Sequence, residues 1–118
     1  MFGYKKLIAW QKADELVHKV YDLTLTFPKN EIFGLVSQLQ RACLSVPTNI
    51  VEGHARNSKK EFHRFLSIAL GSLAETEYLL DFAYKRKLVA DRDFQEISLL
   101  RAETGHIIWK LYISQKGG

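Results

Sequence analysis

Two Glu-x-x-His pairs, Glu15 with His18 and Glu103 with His106, have the spacing by which helical bundles hold iron or manganese. A carboxylate and an imidazole three residues apart share one helical face and can grip one metal. A dinuclear centre needs two such pairs and two further glutamates, all converging on the bundle interior. The apolar residues around these pairs argue against that. Glu15 and His18 fall on the side opposite Trp10, Val17 and Val20, and Glu103 and His106 lie beside and away from the seam of 97–107. The pairs also occupy the first and fourth helical segments, not the second and fourth. Solvated side chains, with no metal or other cofactor, are the expectation.

No nucleophile is set up either. Ser45, Ser58, Ser67 and Ser72 fall on helical segments or at a cap, without a strand-turn-helix elbow to expose one. Cys43 stands between Ala42 and Leu44, the setting of a small buried hydrophobe. As the single cysteine it excludes an internal disulfide and fits a reducing compartment. Gly53 is isolated and Gly71 lies mid-helix, so neither belongs to a phosphate-cradling loop. The chain reads as a protein that is not an enzyme.

Two groups of residues suit binding better. Gln38, Arg41, Ser45, Asn49, Glu52 and Arg56 recur at three- and four-residue steps and share one helical face. Serine and asparagine are poor helix formers, so their place beside Pro47 suggests a packed polar contact, within the bundle or across subunits. Arg41 is expected to pair with a carboxylate, Glu52 or Glu75. A plain solvated face is the alternative. The second group is a cationic cluster at one end: Lys5, Lys6, Lys12, Arg56, Lys59, Lys60, Arg64, Lys110 and Lys116, with His54 and His63. Lys59, Lys60 and Arg64 fall in the first turns of a helix, whose free amides also favour anions. RNA or DNA phosphate fits such a cluster, and an ordinary hydrated surface is the competing reading.

Helices must position these residues, because the apolar periodicity is helical throughout. The first segment carries Trp10, Ala13, Val17, Val20, Thr24 and Phe27, and ends at Phe27-Pro28. The second carries Ile32, Leu35, Val36, Leu39, Ala42, Cys43, Val46 and Ile50, with Pro47 expected to kink it. Ser58 and Glu61 form a capping box for the third, whose stripe is Phe62, Phe65, Leu66, Ala69, Leu73, Thr76, Leu80 and Ala83. Asp91 is expected to cap the fourth, with Phe94, Ile97, Leu100, Thr104, Ile107 and Leu111 inward and Gly117-Gly118 fraying its end. Beyond its stripe the third segment also bears Ile68, Leu70, Tyr78, Leu79 and Phe82, more apolar surface than one seam needs. Short connections make consecutive helices antiparallel, so an all-α, up-down-up-down four-helix bundle over 1–118, one domain, is the simplest architecture.

Composition agrees. The chain of 118 residues is 47% hydrophobic and 25% charged, ordinary values for a globular domain, with a net charge of +4. No run approaches the roughly 20 apolar residues of a membrane span, and no secretory leader is legible, so a cytoplasmic location is expected.

The run Leu7-Ile8-Ala9-Trp10-Gln11-Lys12-Ala13, with Val20-Tyr21 and Phe27-Pro28, resembles the opening of bacterial four-helix-bundle proteins encoded in intervening sequences of 23S rRNA genes. The middle run is a denser match: Gln38-Leu39-Gln40-Arg41-Ala42, Ser45-Val46-Pro47-Thr48-Asn49-Ile50, Glu52-Gly53 and Arg56. Phe65-Leu66, Ala69-Leu70-Gly71-Ser72 and Glu75-Thr76-Glu77 continue it, while Val51 and His54 depart mildly. The resemblance implies a homopentamer around a central axis, and places the family's polar positions on the stripe from Gln38 to Arg56. Some similar proteins bear the name S23 ribosomal protein. A related branch, the accessory protein of diversity-generating retroelements, is a pentamer that binds nucleic acid and a reverse transcriptase. The expected partners are therefore further copies of the chain and RNA or DNA, through the basic end or a central channel. A purely structural or protein-binding oligomer is the alternative.

Overall fold

Ser58 has extended backbone, and its hydroxyl accepts the Glu61 amide hydrogen at 3.3 Å, which starts the longest helix where the sequence places it. Only that half of the capping box forms, because the Glu61 carboxylate turns to Arg64. The protein is described here by a computed structural model covering residues 3–116, so Gly117 and Gly118 lie outside the described residues. Four α-helices follow one another: α1, Ile8–Thr24; α2, Ser37–Ala55; α3, Lys59–Lys85; and α4, Asp91–Ser114. Among the described residues there is no strand.

Each helix packs mainly on two neighbours, α1 and α3 both touching α2 and α4, and the α2–α3 pair is the most extensive. Along α2 and α3, Gly53 meets Phe65 and Ser45 meets Ser72, so these helices run antiparallel. His63 against Tyr112 and Glu77 against Arg101 make α3 and α4 antiparallel as well. The result is a rod of 45 × 24 × 23 Å. Leu16, Leu39, Ile50, Leu66, Leu80 and Ile108 are its largest fully buried side chains. Two threonines share the core with them. Thr76 donates to the Ser72 carbonyl and Thr104 to that of Leu100, so neither hydroxyl is buried unpaired.

The expected third-helix stripe, Phe62 to Ala83, is buried at every position. Elsewhere the structure corrects details. Ile32, expected in the core, is 46% exposed, and Phe33 is 96% exposed. The cause is a π-helical turn at Ile32–Val36, which carries an extra residue and rotates Ile32 outward before α2 begins. Asp91 does not cap α4; Ala90 holds that position, and Asp91 accepts a 2.6 Å hydrogen bond from the Tyr84 hydroxyl. On α4 Ile108 is fully buried and Ile107 only partly so. α2 continues unbroken through the buried Pro47, and Thr48 and Asn49 donate side-chain hydrogen bonds to the carbonyls of Leu44 and Ser45.

The end of α3 adopts a left-handed turn, with Lys87 at φ 64° and the Leu88 amide bonded to the Ala83 carbonyl. A lysine there carries a steric cost that glycine avoids. Lys87→Gly should therefore stabilise the fold by about 0.5–1 kcal/mol, visible as a melting temperature a few degrees higher. An unchanged or lower melting temperature would mean that Lys87 makes up this cost through its own contacts.

Candidate nucleic-acid interface

The chain reverses from α2 to α3 through Arg56, Asn57 and Ser58, with Asn57 at φ 54°. Asparagine tolerates this left-handed conformation, so α3 starts at once and its first turn lies beside the end of α2. Arg56 hydrogen-bonds Glu52 at 3.4 Å, and Arg64 bonds both oxygens of Glu61 at 3.2 and 3.4 Å. Both guanidinium groups also lie over the Phe65 ring, 5.1 and 4.4 Å from its centroid. Phe65, expected only as a core residue, is thus a platform that fixes two cations. A hydrophobic position flanked by arginine at 56 and 64 was the only signal for it.

These pairs change the electrostatics of the basic end. The hydrogen bond from Arg64 holds the Glu61 carboxyl below its usual range and raises the Arg64 guanidinium in turn. A depressed carboxylate favours folding above the ordinary carboxylate range, and that contribution fades as pH falls through the lowered value. Lys12 is likewise engaged, 2.7 Å from Glu103, which raises its ammonium first by hydrogen bonding and then by charge. Lys59 and Lys60 differ. Both are exposed, and among the described residues neither has an ion-pair partner. Beside them a shallow cleft is lined by Gly53, His54, Asn57, Ser58, Lys59 and Phe62. Lys5 and Lys6 lie in a short 3₁₀ turn, Tyr4–Lys6, clipped to α1 by Gln11 donating to the Lys5 carbonyl at 2.8 Å.

The polar stripe of α2 divides into three parts. Ser45 and Ser72 share a 2.9 Å hydrogen bond between α2 and α3, and Asn49 donates to the Ser45 hydroxyl at 2.9 Å. The packed polar contact therefore exists at Ser45 and Asn49, with Ser72 as an unforeseen member. Glu52 and Arg56 form the exposed pair already described. Gln38, Arg41 and Glu75 line the adjoining groove with Ser45 and Ser72. The expected pairing of Arg41 does not form within the bundle: among the described residues Arg41 has no carboxylate partner, and Glu52 is taken by Arg56. Of the Glu-x-x-His residues, Glu15, His18 and His106 are exposed, and His18 lies 3.5 Å from Asp14. No group of three metal-ligating side chains comes together among the described residues.

A family model described as 23S rRNA-intervening sequence protein matches residues 5–110. The chain belongs to this family. A solved structure from Bacteroides thetaiotaomicron, a protein of unknown function from the S23 ribosomal protein family, is similar at a TM-score of 0.81. That likeness covers 89% of this chain and 95% of the other at 21% identity, so it speaks for the fold alone. No protein of curated function matches the chain. The intervening-sequence bundle has no helix, among its described residues, long and apolar enough to cross a membrane.

Two outcomes follow for this intervening-sequence protein. Burial pushes the Cys43 thiol up to about 12, so thiolate is scarce at neutral pH. A thiol reagent should label native protein at least about a hundredfold more slowly than urea-unfolded protein, and equal rates would place Cys43 outside the core. Ser72→Ala removes the Ser45 partner and should cost about 1 kcal/mol in urea unfolding. No change would mean that water replaces the lost hydroxyl.

Proposed function

We propose that this chain is a non-enzymatic, cytoplasmic, self-associating bundle that binds nucleic acid, RNA foremost, through phosphate contacts at its basic end. Lys59 and Lys60 carry the reading: they are exposed, without ion-pair partners among the described residues, and set on the first turn of α3. Side-chain charge and helix dipole act together there on an anion. The S23 ribosomal protein name of the Bacteroides neighbour and the family's origin in rRNA genes point to RNA in the same direction. Self-association is supported by Ile68, Tyr78 and Phe82, which remain exposed on α3. A ring of five is the stoichiometry that the family resemblance implies, and it would repeat the cationic end or line a central channel with it. Repetition turns weak single contacts into useful avidity. No cofactor enters this reading.

One observation favours the alternative, an oligomer that binds a protein or serves as structure. Glu52 and Glu61 already neutralise Arg56 and Arg64, which leaves less free charge than the sequence suggests.

A titration of structured RNA and duplex DNA at two salt concentrations separates the two. Binding should weaken steeply with salt and show little sequence preference. Changing Lys59, Lys60 and Arg64 together to glutamine should lower affinity by about tenfold or more and reduce the salt slope on duplex DNA by up to about 2.7. Affinity untouched by the triple change would move the site elsewhere on the assembly, and no binding at low salt would leave the protein-binding oligomer.

A further inference from the structure

Arg56 and Arg64 stand at the basic end, yet the fold leaves neither as a free charge. Each hydrogen-bonds a glutamate about one turn before it, Glu52 and Glu61. The two pairs also act on one another: Arg56 helps to hold the Glu61 carboxyl down, and Glu52 helps to raise Arg64. The two cations lying on Phe65 are thus matched by two anions, and the cluster carries no net charge. A phosphate, drawn by net positive charge, gains little from it.

What the cluster does offer is a surface of fixed attitude. Arg64 donates to both oxygens of Glu61, from Nε at 3.2 Å and from Nη2 at 3.4 Å, and a two-point bond of this kind sets the plane of the guanidinium group. The Phe65 ring lies against that group, with the Arg64 Cζ 4.4 Å from its centroid. The carboxylate therefore takes an edge and the ring takes a face. Phe65 is itself buried, so the support under Arg64 is anchored in the core. The second face is left over, and the Arg64 side chain remains 55% exposed. Planar groups stack on such a face, and unstacked nucleobases are among those that do.

We propose that the outward face of Arg64 stacks an unpaired nucleobase, while Lys60 takes a phosphate of the same strand. The inference rests on the nucleic-acid reading above and names its substrate class: single-stranded or looped RNA in preference to a continuous duplex. Lys60 stands one turn back on the same helical face, where Cβ atoms are about 5–6 Å apart. It is exposed and has no ion-pair partner among the described residues. Base and phosphate thus fall to neighbouring side chains of different chemistry. Bases inside a duplex are stacked on each other, and the deep groove of A-form RNA keeps side chains from their edges. The Arg64 face is open only to a base that is free to leave its stack. Lys59 and Lys60 attract either form of RNA, which makes Arg64 the group that discriminates.

The full chain is titrated with an RNA strand that has no internal pairing, and with the same strand annealed to its complement, at two salt concentrations. Arg64→Lys keeps the charge and the reach to Glu61 but has no planar face. It should lower affinity for the single strand about fivefold or more, the contribution of one stacked base. Duplex affinity, salt dependence and melting temperature should stay as in wild type. Lys60→Gln should instead weaken both RNAs and flatten the salt dependence. Single-strand affinity that survives Arg64→Lys, or a loss shared equally by the duplex, overturns the stacking site and leaves phosphate binding at this end standing. An unaltered salt dependence in Lys60→Gln overturns the part given to Lys60. Failure of wild type to bind either RNA at low salt overturns both readings.

Discussion

At Gly53 the end of α2 passes so close to α3 that an added Cβ would lie 2.6 Å from the Phe65 Cβ and 3.0 Å from the Phe62 ring. Even alanine would force the helices apart there, since both obstructing groups are themselves packed into the core. The near contact lets the reversal take only Arg56, Asn57 and Ser58. It also brings Phe65 beneath guanidinium groups from both helices. Eight residues back along α2, the same closeness becomes a hydroxyl pair, Ser45 with Ser72. Small groups at both points keep α2 and α3 together over a long stretch, and α1 and α4 complete the ring around that pair.

The basic end shows how local geometry rescales a count of charges. Read as composition, the cluster from Lys5 to Lys116 is strongly cationic. In the folded chain Arg56, Arg64 and Lys12 each have a carboxylate in reach, and two of them lie on an aromatic face. Exposed pairs of this kind contribute little to stability. Their larger effect is to leave the field of this end to lysines without a carboxylate partner among the described residues, Lys59 and Lys60 on the first turn of α3 together with Lys5 and Lys110.

Much of the fold is legible in the sequence because burial and helical period reinforce each other. The α3 stripe is the clearest case: a strong cap at Ser58 sets the phase, and no proline or bulge disturbs it for 27 residues. The misreadings come where backbone chemistry departs from the regular α-helix. A π-helical turn has no single-residue signature, so Ile32 is placed one step out of phase. Asp91 has the right type for a cap, yet Tyr84, in the last turn of α3 and seven residues earlier, claims its carboxylate. The α2 polar stripe is visible as a line of residue types. Sequence spacing says nothing about reach across helices, and so it misses Ser72 and offers Arg41 two carboxylates, of which Glu52 pairs with Arg56 and Glu75 lines the same groove as Arg41 without bonding it inside the bundle.

The π-helical turn at Ile32–Val36 has a consequence for how this chain can change length. It stores one residue more than an α-helical turn of the same height. A single deletion within it can be absorbed by conversion to regular helix, leaving the phase of Leu39, Cys43, Val46 and Ile50 against the core undisturbed. The same deletion inside α2 would rotate every later side chain by about 100° and turn Val46 and Ile50 out of their core positions. The segment between α1 and α2 is therefore a place where insertions and deletions can accumulate during descent, while the rest of α2 is held to a fixed count.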